Sequence, residues 1–410
     1  MSQPKDRPVG ETLREAAPLA LLAIAILASY SFARPTAEAL FLEAYGSQAF
    51  PWAWLAVAVF AVLASALYAR AASRQPLDRV LRGGALLSAG VLALLLAAHA
   101  FEIPGAAFAL YVWKDIYIVV VLETFWAIAN ARFGLGQARW LYGFFLLAGT
   151  GGSMLGNLGL RALMPQLGTL GVLQAVLPVL LIVAAIGAWA PVRSGLSAAH
   201  ASAGPRPAFR AQVTRLGASR YLQLLLAVVA VIQIGVTLVD AVWTRSLEQV
   251  FPSLDARTEA IGLVYLYTDV LSATLQLAAG PIVRLIGVPG VLMLVPALVA
   301  VSLGVYLASA SYLAIAAAKV VGKACDYSLF RAAKELLYIP LDYAEKTEGK
   351  GLVDILGYRV AKGAASGILL ALTAAGLLGA TGTLAAALVV LWMAVTLPLI
   401  AAFRRRTAST

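Results

Sequence analysis

Two lysines and an aspartate recur at helical spacing inside an otherwise apolar stretch of the chain. Lys319, Lys323 and Asp326 are separated by four and three residues, and on an α-helix these spacings place the three side chains on one face. Two ammonium groups against one carboxylate leave a positive surplus, which favours the binding of an anionic solute. The alternative is a Lys323–Asp326 ion pair that only holds helices together.

A second group of polar side chains lies between residues 106 and 130. Lys114 and Asp115 are neighbours in sequence, so on a helix we expect them to point to different faces, one of them with a structural role. Glu123 lies deeper in the same stretch and is followed by Asn130. We predict that these side chains contribute to the same solute-binding site as the two lysines.

Asp240 is a further carboxylate in apolar surroundings. It follows Gln233 and Thr237 at helical spacing, which predicts a hydrated helix face. A buried carboxylate of this type can pair with a lysine or bind a proton, and the sequence leaves both roles open.

The elements that carry these charges are predicted to be transmembrane helices. Hydrophobic residues make up 61% of the 410 residues, charged residues only 12%, and the mean hydropathy is +0.87. A soluble domain carries about a quarter charged residues, so the apolar excess predicts burial in lipid. Ionisable side chains at bilayer depth cost ~2.5–3.5 kcal/mol on insertion scales and usually face a cavity or a partner.

The fold class predicted from these stretches is an all-α membrane protein with twelve transmembrane helices. A membrane-spanning helix needs ~20 mainly apolar residues, and long Ala- and Leu-rich runs favour helices over a barrel. The apolar segments fall at about 17–36, 48–70, 80–101, 106–130, 138–162, 169–191, 219–244, 259–283, 287–308, 311–338, 357–379 and 381–403.

A polar linker divides the chain into two six-helix halves. The predicted domains are an N-terminal bundle (1–191), a cytoplasmic linker (192–218) and a C-terminal bundle (219–410). Charged residues recur on the first and fourth segments of each half, which predicts a parallel repeat of the major facilitator type, with the two halves facing a central cavity.

The basic residues predict the orientation of the helices. With both termini in the cytoplasm, most of the 31 lysines and arginines fall in cytoplasmic segments, as the positive-inside rule requires. We therefore predict a multi-pass protein of the inner (cytoplasmic) membrane, in contact with the lipid bilayer. The same rule explains the net charge of +11 without a nucleic-acid partner.

Several other chemistries are disfavoured by the sequence. Cys325 is the one cysteine and the two histidines lie far apart, so neither a disulfide nor a metal site is expected. The glycine-rich run 149–153 lacks the lysine of a phosphate-binding loop, and close helix packing is the preferred interpretation. No nucleophile–base constellation indicates an enzyme, and no cofactor is expected.

Two stretches of the sequence match a family signature. The first runs from Lys334-Glu335 through Tyr338-Ile339-Pro340-Leu341-Asp342 to Lys346, Gly349-Lys350, Asp354, Arg359 and Lys362-Gly363, and the second is Phe125-Trp126-Ala127-Ile128-Ala129-Asn130. They resemble the nucleotide transporter family of ATP/ADP translocases found in plastids and intracellular bacteria. Weaker similarity to the same family is found around Asp240 and in the stretch Arg34-Pro35-Thr36-Ala37-Glu38.

The resemblance implies exchange or uptake of nucleotides through a few charged residues. Asp240 and Lys362 stand where the family has an acidic residue and a lysine, so both keep the sign of the charge. The chain departs from the family pattern at Ala37, where the family has a lysine, and at Lys114, which lies on or beside a family acidic position. A divergent bacterial member is therefore implied.

Several charges are predicted to form gates or local ion pairs. Arg34 and Glu38 are one helical turn apart near the outer surface, and a local ion pair and an outer gate are both open. Lys334, Glu335 and Arg359, which belong to the signature, are assigned to the same class.

Three functions are compatible with these observations. The first is a nucleotide transporter of the ATP/ADP type that works by alternating access as a monomer. The alternative is a transporter of another anionic or amphipathic solute, proton-coupled through Asp240 or Glu123. The third is a membrane scaffold without transport, which predicts that neutralising Lys319, Lys323 or Asp240 leaves cellular activity intact.

Overall fold

All the regular structure that the computed structural model describes is helical. The described residues are 9–133, 135–189, 209–342, 345, 353 and 356–408. The α-helices are α1 (Val9–Tyr45), α2 (Phe50–Ala72), α3 (Leu77–Ala100), α4 (Ala106–Arg132), α5 (Leu135–Gln174), α6 (Val176–Ala188), α7 (Phe209–Ala218), α8 (Arg220–Val250), α9 (Leu254–Ser309), α10 (Tyr312–Cys325), α11 (Arg331–Leu337), α12 (Ala361–Ala374) and α13 (Thr381–Ala408). Two π-helical turns, Asp326–Phe330 and Leu356–Val360, precede α11 and α12.

Glycines break the two longest helices near the predicted span boundaries. Gly168 in α5 has φ 62° and Gly287 in α9 has φ 70°, both outside helical geometry. This left-handed region favours glycine because it has no Cβ. At 1.5 Å per residue the 56 residues of α9 extend to about 84 Å, far more than the ~30 Å hydrocarbon core, so the break at Gly287 divides α9 into two membrane-length pieces.

The predicted apolar segments lie in helices over most of their described length. Within the described residues, six helices are long and apolar enough to cross a membrane, and a bent pair, Leu141–Gln174 with Val176–Ala188, gives a seventh. That pair bends by 54°. Of the predicted linker 192–218, residues up to 208 lie outside the described part of the chain, whereas its end forms helix α7.

The chain forms two compact units whose membership does not follow the sequence halves. Unit 1 comprises the described residues within Met1–Gly46, Ala56–Gly204 and Pro252–Leu266. Unit 2 comprises those within Ser47–Leu55, Pro205–Phe251 and Tyr267–Thr410. Each unit thus contains one short segment that the predicted six-plus-six division assigns to the other half, and that division stays a prediction.

Helix α1 is the centre of unit 1. It packs against α4, α5 and α6, and its apolar side chains Leu19, Leu22 and Ile26 are fully buried. By contrast, Leu63 of α2 and Leu94 of α3 are 54% and 69% exposed, as lipid-facing side chains are.

Helix α8 has the corresponding place in unit 2. It packs against α10, α12 and α13. These are the helices of the tenth, eleventh and twelfth predicted segments, so the first segment of each half contacts its fourth, fifth and sixth. This shared packing pattern supports the parallel repeat predicted from the charges.

Glycines allow α1 and α5 to approach closely. A methyl group built on Gly152 would lie 2.6 Å from the Cα atom of Ile24, and one on Gly156 would lie 2.7 Å from the carbonyl oxygen of Ala28. Both clashes are with the backbone of α1, which cannot move aside as a side chain could. The glycine-rich run therefore packs helices, as the sequence predicted.

Substitution of either packing glycine is expected to destabilise unit 1. Gly152→Ala and Gly156→Ala force α1 and α5 apart and are expected to cost about 1–3 kcal/mol, the usual range for overpacking. Thermal unfolding of the purified protein in detergent measures the loss. Gly151→Ala is the matched control, because a methyl group there meets nothing within 4 Å; an equal fall in Tm for all three variants would contradict the role of close approach.

The carboxylate of Glu345 connects three parts of unit 2. It accepts hydrogen bonds from the Ser219 hydroxyl at 2.6 Å and from two Arg406 nitrogens at 2.6 and 3.0 Å, and the Glu345 backbone N–H donates to Asp342 at 2.6 Å. Ser219 precedes α8 and Arg406 lies near the end of α13. Glu345, which lies between α11 and α12 in the sequence, thus connects its segment to both helices. Hydrogen bonds from Arg406 hold the pKa of Glu345 below its usual 4.5.

A depressed carboxyl pKa makes the contribution of Glu345 to stability dependent on pH. The contribution is complete above the unfolded-state pKa and is lost as the pH falls through the lower folded-state pKa. The Tm deficit of Glu345→Gln is therefore expected to be full at pH 7 and to shrink below about 4.5. Scanning calorimetry across this range, with the exposed Glu259→Gln as control, measures it; a deficit that is constant with pH would oppose the assignment.

Candidate functional site

The two lysines predicted to bind an anion both contact one carboxylate. Lys319 Nζ lies 3.2 Å from Asp240 Oδ1, and Lys323 Nζ lies 3.0 Å from Asp240 Oδ2. The spacing of four residues on α10 presents both ammonium groups to the same side of α8. Both lysines thus pair with Asp240, and the Lys323–Asp326 interaction expected as the alternative is part of this larger cluster.

The surroundings of this triad are partly apolar. Lys319 Nζ lies 3.4 Å from the centre of the Trp243 ring, a distance at which the cation is attracted to the aromatic face. The side chain of Lys319 is 3% exposed, whereas those of Lys323 and Asp240 are 16% and 19% exposed. The triad therefore has a buried end at Lys319 and a partly accessible end at Lys323.

Asp326 extends the triad at the first π-helical turn. Its carboxyl group is an electrostatic neighbour of Lys323 and lies close to the Gln233 side chain of α8. Lys319, Lys323 and Asp326 thus all lie beside α8. A cavity of about 10 Å³ adjoins Asp240 and both lysines, which is the space of about one water molecule. The cluster is closely packed in this conformation.

Unit 1 contains a second charged cluster centred on Glu38. Its carboxylate accepts a hydrogen bond from Arg34 at 3.2 Å and from the Tyr265 hydroxyl at 2.7 Å, and it lies 3.6 Å from Lys114 Nζ. Arg34 also stacks on the Tyr265 ring at 3.8 Å. The Arg34–Glu38 ion pair, one of the two roles that the sequence left open, is thus present, and it belongs to a larger network.

Lys114 and Asp115 meet each other, which corrects the expectation that they point apart. Lys114 Nζ lies 3.0 Å from Asp115 Oδ1, because the long lysine side chain can bend back toward its neighbour. Asp115 also accepts a hydrogen bond from Tyr30 at 3.2 Å. The side chain of Lys114 is only 2% exposed, and its charge is compensated by two carboxylates, those of Glu38 and Asp115.

The remaining predicted residues have further contacts of their own, and Lys334 is also an electrostatic neighbour of Asp326. Glu123 and Asn130 are exposed, and Asn130 accepts a hydrogen bond from Tyr142. Lys362 lies 5.6 Å from the centre of the Trp54 ring. In the signature segment, Lys334 is buried and 3.4 Å from the Tyr358 hydroxyl, whereas Glu335 and Arg359 are exposed. Lys346, Lys350 and Asp354 lie outside the described residues.

Sequence reasoning missed the aromatic members of the clusters, among them Trp243, Tyr30 and Tyr265. Trp243 follows Asp240 by three residues on α8, so helical spacing was a usable signal. Tyr265 gave no such signal, because it is distant in sequence from Glu38. No group of three or more histidine, cysteine or acidic residues within the described ranges is arranged to hold a metal ion.

A family model described as TLC ATP/ADP transporter matches residues 197–405, which include Asp240, Lys319 and Lys323. ADP,ATP carrier protein 5 of Rickettsia bellii is 29% identical over 165 residues, covering 35% of this chain and 33% of the carrier. ADP,ATP carrier protein 1 of Chlamydia pneumoniae is 29% identical over 168 residues, covering 36% and 33%. The matched region thus spans about a third of these relatives' length.

The fold is similar to that of solved transporter structures. A crystal structure of a mutant of the nucleoside transporter NupG superposes with a TM-score of 0.68 at 11% sequence identity, covering 96% of this chain and 99% of NupG. An identity this low supports the fold alone. The superposition places the helices in the major facilitator-like fold class that was predicted from the sequence.

Loss of the Asp240 charge is expected to cost more than loss of one lysine. Asp240→Asn leaves two neighbouring ammonium groups without their shared counter-charge, and breaking a buried pair in this way costs about 3–5 kcal/mol. Lys323→Gln leaves Asp240 paired with Lys319 and should cost less. Thermal unfolding in detergent gives the ranking, and a smaller effect for Asp240→Asn than for Lys323→Gln would refute it.

Proposed function

The chain belongs to the TLC ATP/ADP transporter family, and we propose on this premise that it is a secondary transporter that moves nucleotides across a membrane by alternating access. The proposal requires no catalytic residue and no cofactor. Nucleotides are proposed as the substrate class because this chain matches ADP,ATP carriers over part of their length.

The observation that carries the proposal is the Asp240–Lys319–Lys323 triad. Two lysines that share one carboxylate offer a site where a phosphate group of the solute can replace Asp240 as their partner. Lys323 is the more accessible of the two, so we assign it the first contact with the solute. Asp240 then acts as an internal competitor that neutralises the lysines while no solute is bound.

The membrane arrangement completes the proposal. We propose twelve membrane-spanning helices in two six-helix halves, with the chain divided at residues 192–218 and both termini on the cytoplasmic side of the inner membrane, as a monomer. The breaks at Gly168 and Gly287 support counting the broken helices α5 and α9 as more than one span each.

Supporting roles are proposed for the other charged residues. Lys362, beside Trp54, is assigned to the solute path by its place in the family signature, together with Glu123 and Asn130. Lys334, Glu335 and Arg359 are proposed as gate residues. In unit 1, Lys114 and Asp115 are proposed to contribute to solute binding, whereas Arg34 and Glu38 form an ion pair that changes partners during transport.

Exchange in proteoliposomes tests the nucleotide assignment. Vesicles preloaded with ADP should take up labelled ATP, and Lys323→Gln should reduce the rate at least about tenfold, because a charge-assisted contact contributes about 1.5–3 kcal/mol. Lys323→Arg should keep part of the rate. The exposed Arg284→Gln removes the same charge elsewhere and should leave uptake unchanged; absence of uptake, together with no Tm shift on adding nucleotides, would remove the proposal.

A specific observation favours a second candidate, the transport of another anionic or amphipathic solute. Ala37 stands where the resemblance places a lysine, and it is fully buried on α1, so this position offers no cation to a triphosphate. Uptake of a panel of organic anions under an imposed pH gradient separates the two candidates. Proton-driven uptake of a non-nucleotide anion that is lost in Asp240→Asn would establish the second.

A further inference from the structure

A cationic pocket lies in unit 2 at the ends of α7, α8 and α13, separate from the Asp240 triad. Its volume is about 630 Å³, within the usual range for ligand sites. Four arginines line it, Arg215, Arg220, Arg405 and Arg406. Glu345 is the one carboxylate in the described lining, so positive charge is in excess.

Glu345 is already engaged by Arg406 and by Ser219. This arrangement fixes Arg406, whose guanidinium also lies over the Tyr221 ring at 4.8 Å. Glu345 is thus saturated by these donors and leaves Arg220 and Arg405, which are exposed, for an external anion. Arg215 is half-buried at the same wall.

The other walls of the pocket are apolar. Leu224, Pro398, Ala401 and Ala402 lie beside the arginines. A pocket with a cationic rim and an apolar wall fits an amphiphile better than a free inorganic anion, because the anion alone would leave the apolar wall in contact with water.

The position along the helices agrees with such a ligand. Arg220 is the first residue of the candidate span Arg220–Val250, and Arg405 lies two residues before the end of the span Leu378–Thr407. Arginines at span ends lie at the level of the lipid headgroups. Guanidinium groups bind phosphate in a bidentate manner, and basic pockets between helices are suited to anionic headgroups.

We propose that this arginine pocket binds a phosphate ester, with the headgroup of an anionic phospholipid as its source. The phosphodiester lies between Arg215, Arg220 and Arg405, and the start of the acyl chains lies against Pro398 and its neighbours. The site is independent of the nucleotide proposal, because it shares no residue with the triad.

Native mass spectrometry of the full chain in detergent tests the pocket. The protein is mixed with equimolar dioleoylphosphatidylglycerol and dioleoylphosphatidylcholine, and the retained lipids are counted. The wild type should prefer phosphatidylglycerol. Since each basic residue contributes roughly fivefold to anionic-lipid binding, the triple variant Arg215→Gln, Arg220→Gln, Arg405→Gln should lose at least about tenfold of that preference.

Two further variants guard against a trivial result. The triple lysine variant Arg215→Lys, Arg220→Lys, Arg405→Lys keeps the charge and should keep most of the preference, which separates lipid binding from misfolding. The control Arg74→Gln, Arg161→Gln, Arg284→Gln removes the same charge from exposed positions elsewhere and should behave as the wild type. An equal loss in this control would overturn the proposal.

Competition identifies the source of the phosphate. Millimolar inorganic phosphate should leave the phosphatidylglycerol adduct of the wild type in place. Displacement of the lipid by phosphate would overturn the assignment to a phospholipid, as would equal retention of the two lipids by the wild type.

Discussion

A charge inside an apolar helix bundle has to be compensated by an opposite charge, and this constraint organises both units. In unit 1, Glu38 on α1 lies 3.6 Å from Lys114 on α4. In unit 2, Asp240 on α8 lies 3.2 Å from Lys319 on α10. A carboxylate on the first predicted segment of each half therefore meets a lysine on the fourth predicted segment, and the corresponding helices pack against each other. Because removal of either partner leaves a charge in a medium of low dielectric constant, the pairing ties helix packing to electrostatics.

The triad in unit 2 differs from the Glu38 cluster in a way that bears on the proposed transport. Both clusters contain a carboxylate shared by two cations: Glu38 by Arg34 and Lys114, and Asp240 by Lys319 and Lys323. The two cations that share Asp240 lie on one helix, α10, whereas those that share Glu38 lie on α1 and α4. The arrangement on α10 is suited to an exchange of anionic partners, because one phosphate can contact two lysines of the same helix face.

The sequence predicted the helical class and the principal charged residues, since apolar runs and residue spacing follow from local rules. It placed Lys319, Lys323 and Asp326 on one face, and all three lie beside α8. It failed where the outcome depends on tertiary contacts. The Lys114 side chain contacts Asp115 although neighbouring residues of a helix point to different faces. Tyr265 contacts Glu38 although 227 residues separate them in the sequence. The rotamer of a long side chain and the docking of a distant segment are set by packing, which residue spacing does not encode.

The segment Pro252–Leu266 belongs to unit 1 although it follows more than half of the chain. The hydroxyl of its Tyr265 donates a hydrogen bond to Glu38, and its Arg257 pairs with Glu43. A ribosome delivers these residues only after α1 to α8 have been synthesised. During translation the first bundle therefore lacks these contacts at first. It completes its packing only after a later part of the same polypeptide has been synthesised.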